Sequence, residues 1–315
     1  MLPTLRQLQY LRLLAEHGSF SRAAEAAHVT QPTLSAGIAE LERTLGAPVV
    51  DRSRSGAILT AVGEEATKRG SEILAAAEDM VEAARSAGLP LAGRFRLGVI
   101  PTIAPYLLPR VLPVLRQRFP KLRLYLREDL THRLIAALKA GALDAALIAL
   151  PYDLGGLEFA HVSDDEILAL MPEGHPLAAG GRVTAERLED EELILLEDGH
   201  CLREHALAAC GLDAPHGGDE SFAATSLPTL VQMVGSGLGV SLAPAMALDA
   251  GLIRGLPVAA RHLDAEHPSR EIAVVWRSGS SRGREGRLLA DALRDTAPQG
   301  SSGGTKSPAT RSGKA

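Results

Sequence analysis

The sequence is poor in cysteine, in aromatic residues and in long apolar segments. Only two cysteines and 3% aromatic residues occur among its 315 residues. No apolar run approaches the roughly 20 residues that a membrane-spanning helix needs, and the first residues lack the apolar core of a secretory signal. These absences argue against a disulfide-stapled secreted domain and against a membrane protein, and they predict a cytoplasmic chain without membrane contact.

The chain also has only a small excess of charge of one sign. The chain carries 33 basic and 38 acidic residues, a formal net charge of −5. This balance argues against a protein that coats nucleic acid by bulk attraction, but it leaves room for a local DNA-contacting surface. Because 46% of the residues are hydrophobic, aliphatic side chains can fill the cores of the roughly two domains that the length predicts.

The two cysteines, Cys201 and Cys210, are nine positions apart. In a reducing compartment, such a pair is redox-active or metal-binding more often than a structural staple. His200 and His205 complete four possible ligands, but no Cys-x-x-Cys or His-x-x-x-His spacing is present, so neither a metal nor another cofactor is predicted. Two buried thiols without a function remain the alternative.

The N-terminal residues have the pattern of three short helices. Leucines recur at helical spacing over residues 5–17, and Gly18 ends this first helix. An alanine-rich second helix follows, and Thr30 and Pro32 are typical of the start of a third helix, which Gly46 ends. Two short helices joined by a tight turn outline a helix-turn-helix, in which the second helix reads DNA bases.

A β-hairpin wing is predicted after these helices, over residues 49–60, and its arginines can contact phosphates. The predicted DNA-contacting residues of the whole unit are Ser21, Arg22, Gln31, Pro32, Thr33, Ser35, Arg52 and Arg54. The same pattern also suits a small helical bundle with exposed arginines, so periodicity alone leaves both interpretations open.

The rest of the chain divides into a long helix and an α/β region. Apolar positions recur at about 3.5 residues from 61 to about 85, which is typical of a coiled-coil-like dimer seam; a helix packed on its own domain is the alternative. Beyond a hinge at residues 88–93, strands and helices alternate, which predicts a mostly parallel sheet in two lobes. Ligands in such folds bind beyond the carboxyl ends of strands, where residues 101–102 and 198–201 are predicted to lie.

These patterns resemble a known family. The residues at 20–24 (Phe-Ser-Arg-Ala-Ala), 30–35 (Thr-Gln-Pro-Thr-Leu-Ser) and 59–63 (Leu-Thr-Ala-Val-Gly) resemble the winged helix-turn-helix of LysR-type transcriptional regulators. Ala27 and Val49-Val50 depart from the commonest pattern but keep its apolar character. The resemblance covers about residues 3–296 and implies an α/β fold: a winged helix-turn-helix, a linker helix and a two-lobed effector domain like that of periplasmic binding proteins.

On this basis the predicted divisions are a DNA-binding domain at 1–60, a linker and dimerisation helix with its hinge at 61–92, a regulatory domain at 93–297 and a disordered tail at 298–315. The resemblance further implies a regulator rather than an enzyme. Its implied partners are promoter DNA, RNA polymerase and further copies of the chain in a homodimer or homotetramer.

Within that family, the run Glu-Asp-Gly-His-Cys-Leu-Arg at 197–203, followed by Cys210, is similar to members that sense hydrogen peroxide. This similarity implies that Cys201 is the peroxidatic cysteine and Cys210 the resolving one, reset by a thioredoxin- or glutaredoxin-type reductant. It also implies roles in peroxide binding or thiolate activation for Thr102, Thr131, His200 and Arg203. Both threonines also suit helix N-caps, and the other two side chains suit an exposed surface.

If residues 201–210 form one helix, the two cysteine Cα atoms lie about 13 Å apart. A disulfide needs about 4.4–6.8 Å, so oxidation would force this segment to refold. Two other functions remain open from the sequence: a LysR-type regulator that binds a small carboxylate metabolite between its lobes, and a thiol peroxidase.

Overall fold

The computed structural model of the chain describes residues 2–53, 56–85, 89, 91–210, 223–266 and 268–296. The predicted tail at 298–315 and the wing residue Arg54 lie outside this part. Within the described residues, no helix is both long and apolar enough to cross a membrane.

The N-terminal unit consists of three helices and a two-stranded hairpin. They are α1 (Leu5–His17), α2 (Phe20–Ala26), α3 (Gln31–Leu45), β1 (Val50–Ser53) and the antiparallel β2 (Gly56–Leu59). The predicted termination signals are confirmed: Gly18 and Gly46 adopt φ values of 61° and 72°, a left-handed conformation that glycine reaches without strain. The Thr30 side chain accepts a hydrogen bond from the Thr33 backbone N–H and caps α3.

One compact core holds this unit together. Apolar side chains from α1, α2 and α3 are buried against each other and against the base of the hairpin; they include Leu11, Leu14, Ala23, Leu34, Ile38, Leu41 and Val49. Burial of each large aliphatic side chain contributes roughly 1.5–3 kcal/mol. Because the core uses the inner faces of α2 and α3, the outer face at the start of α3 stays open to solvent.

The next helix, α4 (Ala61–Arg85), has two different faces. Leu74 and Ala75 are buried on the face that packs on the chain itself, and Leu74 belongs to the N-terminal core. The other face keeps large apolar side chains exposed, with relative exposures of 44% at Val62, 50% at Ile73 and 68% at Met80. One face of this helix therefore packs internally, while the other is apolar and exposed, so the dimer seam stays a prediction for that second face.

The remaining residues form an α/β unit. Its strands are β3 (Gly93–Val99), β4 (Leu122–Glu128), β5 (Ala145–Leu150), β6 (Leu157–Pro172), β7 (Leu193–Leu196), β8 (Ala223–Ala224), β9 (Val240–Pro244), β10 (Val258–His262) and β11 (Ser269–Arg277). Its helices are α5 (Ala104–Arg118), α6 (Thr131–Lys139), α7 (Ala185–Glu189), α8 (Cys201–Cys210), α9 (Leu227–Gly235), α10 (Ala245–Asp249) and α11 (Gly283–Arg294).

The sheet differs from the mostly parallel one that the sequence predicts. Its order is β4-β3-β5-β11-β6-β9-β7-β8, with β10 paired to β6. The outer pairs β3–β4, β3–β5, β7–β8 and β7–β9 are parallel, whereas β11 and β6 pair antiparallel with each other and with β5, β9 and β10. The physical reason is that β6 and β11 are long strands that run antiparallel through the middle of the sheet, and β6 continues from the strands of one lobe to those of the other.

These two long strands determine where a ligand can bind. β6 pairs with β11 in its first half and with β9 and β10 in its second half. The carboxyl ends of β3, β4 and β5 belong to one parallel group and that of β7 to the other. Pro101-Thr102 and residues 198–201 were predicted to lie beyond the carboxyl ends of strands, and they follow strands of different groups. A site that uses both segments therefore lies between the lobes.

Candidate functional site

Cys201 is the first residue of α8 and lines a very small cavity between the lobes. Its side chain is buried, with a relative exposure of 6%. The cavity measures about 10 Å³, which corresponds to room for about one water-sized molecule. Its other lining residues are Ile100, Pro101, Thr102, Leu130, Thr131, Gly199 and His200.

Three segments that follow strands bring these residues together. Thr102 follows β3, Thr131 follows β4, and residues 197–201 follow β7. Gly199 has a φ of 95°, a left-handed conformation, in the turn that leads into α8. The structure thus assembles Thr102, Thr131, His200 and Cys201, four of the predicted residues, around one cavity.

The cavity is backed by a buried ion pair that sequence analysis did not find. The Arg270 guanidinium donates to Asp165 Oδ2 from Nη2 at 2.9 Å and from Nε at 3.1 Å, and both side chains are almost fully buried, at 0% and 2% exposure. Asp165 Oδ1 accepts a hydrogen bond from the Met246 backbone N–H. Because the carboxylate is bonded on both oxygens, the guanidinium is held firmly in one position.

Arg270 also holds Thr102. Its Nη1 donates to Thr102 Oγ1 at 2.8 Å and its Nη2 to the Thr102 carbonyl at 3.0 Å. Since Thr102 Oγ1 is an acceptor in this bond, its own hydrogen remains available as a donor. Thr102 lines the cavity, so that hydrogen can serve an oxygen atom placed there.

The threonines are not helix N-caps, contrary to the alternative interpretation. Ile103 occupies the N-cap position of α5, and Leu130 that of α6, with Thr131 as the first helical residue. The buried Thr131 hydroxyl has no partner of good hydrogen-bond geometry among the described residues. It nevertheless lies close enough to the sulfur of Cys201 to lower the pKa of that thiol.

The resting state of Cys201 differs from the expectation of an activated thiolate. Burial raises the pKa of the Cys201 thiol above its ordinary value, and this effect exceeds the lowering by Thr131, by the charge of Arg270 and by the backbone N–H at the start of α8. The nearby charge of Glu204 raises the pKa further. Cys201 is therefore a neutral thiol at rest, with groups in place that stabilise an anion once it forms.

His200 and Arg203, which were predicted to activate the thiolate, differ from that expectation in charge or in position. Burial lowers the pKa of His200, although the charge of Glu197 acts in the opposite direction, so the ring is neutral at pH 7. Arg203 does not line the cavity: its Nη1 donates to the Leu196 carbonyl at 3.2 Å and its Nε lies 3.3 Å from Asp198 Oδ1. The cation near Cys201 is Arg270, and Arg203 instead braces the turn between β7 and α8.

Cys210 occupies the other end of the same helix. It is a buried free thiol, and burial raises its pKa to about 11. Since α8 spans Cys201–Cys210 as one helix, the two Cα atoms are separated by roughly 13 Å along its axis. Among the described residues, no group of three or more His, Cys, Asp or Glu side chains is arranged to hold a metal ion.

The predicted DNA-contacting residues are distributed around the start of α3. Ser21, Arg22, Gln31, Pro32 and Thr33 are exposed, and Ser35 is half-buried. Ser21 Oγ donates to Gln31 Oε1 at 3.0 Å, which joins α2 to the first turn of α3. Arg52 lies in β1, and Arg54 is outside the described residues.

The contribution of Thr131 can be measured directly. We expect Thr131→Val to raise the pKa of Cys201 further, because the variant loses a hydrogen bond to the thiolate. Alkylation of Cys201 at pH 8 should then slow by on the order of tenfold. Mass spectrometry of the peptide that contains Cys201 measures this rate. Thr131→Ser keeps the hydroxyl and serves as the control; equal rates for the two variants would contradict the assigned contact.

Two protein families match the chain. Residues 5–64 match the model described as the bacterial regulatory helix-turn-helix protein, lysR family, and residues 89–298 match the LysR substrate binding domain. The chain is 38% identical over 294 residues to the HTH-type transcriptional regulator EstR of Acinetobacter baylyi, covering 93% of this chain and 97% of that protein. It is 41% identical over 288 residues to a probable hydrogen peroxide-inducible genes activator of Mycobacterium avium, covering 91% and 92%.

Solved structures of LysR-type regulators also match the chain. A full-length OxyR variant from Pseudomonas aeruginosa matches with a TM-score of 0.76 and 38% identity, covering 94% of this chain and 99% of that one. A cysteine-to-serine mutant of OxyR from Corynebacterium glutamicum, in its hydrogen-peroxide-bound form, matches with a TM-score of 0.64 and 33% identity, covering 94% and 93%. The predicted winged helix-turn-helix and two-lobed α/β unit are confirmed by these matches together with the fold.

Proposed function

This chain belongs to the LysR family of bacterial helix-turn-helix transcriptional regulators, and we propose that it senses hydrogen peroxide by reversible disulfide formation between Cys201 and Cys210. The observation that carries the proposal is the cavity at Cys201. A buried thiol and two threonine hydroxyls line a space of about 10 Å³, and the Arg270 guanidinium holds one of these hydroxyls, that of Thr102, from behind. Relatives named as hydrogen peroxide-inducible activators support the same assignment.

The size of the cavity favours peroxide over an organic effector. Room for about one water-sized molecule suits an oxidant of two oxygen atoms after a small adjustment, whereas organic ligands occupy pockets of about 300–1,000 Å³. The alternative of a carboxylate metabolite bound at this position is therefore disfavoured. A thiol peroxidase is disfavoured because the matching relatives are transcriptional regulators.

The first chemical step oxidises Cys201. The thiolate sulfur attacks one peroxide oxygen, the O–O bond breaks, and the departing hydroxide takes up the proton released by the thiol to give water and a sulfenic acid. The free hydrogen of Thr102 can bond a peroxide oxygen, and the charge of Arg270 stabilises negative charge as it moves from sulfur to the departing oxygen. Because the raised resting pKa keeps most of the thiol protonated, only a minor thiolate fraction is ready to react with peroxide near neutral pH.

The second step requires a change of shape. Condensation of the sulfenic acid with the Cys210 thiol releases water and forms the disulfide, but the sulfurs sit at opposite ends of α8. The Cα atoms must approach from roughly 13 Å to about 4.4–6.8 Å, so α8 must unwind. The unwound helix is the second state that a molecular switch needs. A thioredoxin- or glutaredoxin-type dithiol reductant would reverse the step by exchange.

The output is a changed arrangement of DNA-binding units on promoter DNA. We infer that copies of the chain associate through the exposed apolar face of α4, giving a homodimer or homotetramer whose paired α3 helices contact successive half-sites. Refolding of α8 would alter the packing of the regulatory units and, through the linker helix, the contact of the complex with RNA polymerase.

The α4 face provides a test of association. We expect Ile73→Glu, which places a charge in the apolar face, to yield monomers at micromolar concentration and to weaken operator binding at least about tenfold, since binding would lose its two-site character. Sedimentation equilibrium and DNA titration measure the two effects. Lys68→Glu also alters charge on α4, away from that face, and should leave the assembly intact; a dimeric Ile73→Glu variant would exclude this surface.

The function itself is tested by non-reducing mass spectrometry of the purified full chain after a short pulse of peroxide near its stoichiometric concentration. A peptide pair that links Cys201 to Cys210 within one chain, and is lost on reduction, is the expected product. Only unmodified cysteines, or sulfinic acid at Cys201 without any disulfide, would contradict the proposal.

A further inference from the structure

His205 lies between the two cysteines on α8, one helical turn after Cys201, and its side chain is buried at 6% exposure. Residues four apart on a helix share one face, so His205 and Cys201 are buried on the same side of α8. The ring Nε2 lies 2.9 Å from the Pro151 carbonyl oxygen, just after β5. His205 thus connects the helix that must unwind to the opposite lobe.

The hydrogen bond fixes the state of the ring. A carbonyl oxygen can only accept, so Nε2 carries the hydrogen, and in the neutral ring Nδ1 is a bare acceptor. Nδ1 is buried and has no partner among the described residues. A proton added there would place a positive charge in a buried site where the described residues offer Nδ1 no hydrogen-bond acceptor, which is unfavourable.

The charges around the ring reinforce this state. Burial is the main effect that lowers the pKa of His205, and the charge of Arg270 on β11 lowers it as well; the bond to Pro151 and the charge of Glu204 on α8 act in the opposite direction. Arg270 is itself neutralised by Asp165 on β6. Tyr152, after β5, is a further titratable group, and its raised pKa keeps it uncharged near neutral pH.

We propose that His205 is a positioning residue that latches α8 in its reduced, helical form, and that release of this latch takes up a proton. The inference rests on the proposed disulfide switch. When α8 unwinds, the bond to Pro151 breaks and the imidazole enters water, where it takes a proton from solvent. The sulfenic acid and the Cys210 thiol meanwhile condense to the disulfide and water. The proton that His205 takes up comes from solvent and is separate from this redox step.

The direction of the pH effect follows from the state of the ring. In the reduced helix the pKa of His205 lies below its ordinary value, whereas in the unwound segment it returns to about 6.5. The unwound form therefore binds more protons, and the reduced helix loses stability relative to it as pH falls through that value. Acidification favours the disulfide form.

The test equilibrates the full-length chain with reduced and oxidised glutathione at pH 5.5 and 7.5, starting from both redox states, and measures the Cys201–Cys210 disulfide by thiol labelling. Thiols stay protonated over this range, so their own contribution cancels. For the wild type, the equilibrium constant for the disulfide should rise by up to about tenfold at the lower pH.

Two variants separate the latch from the proton. His205→Gln can donate to the Pro151 carbonyl but cannot titrate, so its constant should match the wild type at pH 7.5 and lose that part of the pH dependence that comes from His205. His205→Leu has no donor, so its constant should rise about fivefold at pH 7.5 and lose the same part of the pH dependence.

Equal pH dependence in the wild type and His205→Gln would overturn the proton uptake, and an unchanged constant in His205→Leu would overturn the latch. If the wild type forms no Cys201–Cys210 disulfide under any condition, the proposed function fails; if the disulfide forms normally and only these differences are missing, this inference alone fails.

Discussion

The Cys201→Ser variant is expected to bind promoter DNA normally and to lose its entire response to hydrogen peroxide. Serine is close to cysteine in size, so the buried start of α8 should keep its packing. Its hydroxyl ionises far less readily than a thiol and cannot form a disulfide. The DNA-binding surface around the start of α3 belongs to a separate core and should be unaffected.

The measurement pairs operator titration with transcription before and after a peroxide pulse. We expect unchanged DNA affinity in the reduced state and no disulfide above background. Cys210→Ser is the matched control: it should still form a sulfenic acid at Cys201, detectable with a sulfenic-acid reagent, but no disulfide within the chain. A Cys201→Ser protein that still activates transcription on peroxide would refute the role assigned to Cys201.

The helical part of the fold was accessible from sequence because local rules determine it. Thr30, Gly18 and Gly46 signal helix ends through their own backbone and side-chain chemistry, and all three act as predicted. The apolar spacing of α4 likewise predicts a helix over 61–85, as observed. Such signals need no knowledge of distant residues, so a single sequence suffices.

The sheet was less accessible because pairing joins distant segments. The apolar run near residues 166–171 marks only the second half of a strand, because β6 runs from Leu157 to Pro172 and crosses from one lobe to the other. The first half of this strand contains polar residues such as His161 and Asp164, so a search for apolar runs does not detect it. The antiparallel centre follows from β6 and β11 together, whose register spans more than 100 residues of sequence.

In the candidate site, too, some features follow from local sequence and others depend on residues that are distant in the chain. Cys201, Thr102 and Thr131 line one cavity. The positions of Cys201 and Thr102 after predicted strands pointed to such a site, whereas Thr131 was predicted from the family resemblance alone. The source of positive charge was not predictable, because Arg203 is adjacent to Cys201 in sequence while Arg270 is adjacent in space. An arginine at the start of a strand is ordinarily a surface residue, and only its burial against Asp165 reveals its role.

Removal of that buried charge should therefore have a large effect. We expect Arg270→Met to reduce the free energy of unfolding by about 3–5 kcal/mol, because the Asp165 carboxylate stays buried without its partner. The Thr102 hydroxyl would also lose its donor, and the pKa of Cys201 would rise further because a charge that lowers it is gone. Urea unfolding followed through Trp276, the single tryptophan and fully buried in β11, measures the stability change.

Two comparisons make this result specific to a buried pair. Arg118→Met breaks an ion pair with Asp295 whose side chains are 44% and 66% exposed, and it should cost less than about 1 kcal/mol. The double variant Arg270→Met, Asp165→Leu removes both charges and should recover much of the lost stability, since no unpaired charge remains. If it does, yet Cys201 still reacts slowly with peroxide, then the chain retains this ion pair for its chemistry at the cavity rather than for folding. A single Arg270→Met variant as stable as Arg118→Met would instead show that water reaches Asp165 and that the site is less enclosed than the burial of this pair indicates.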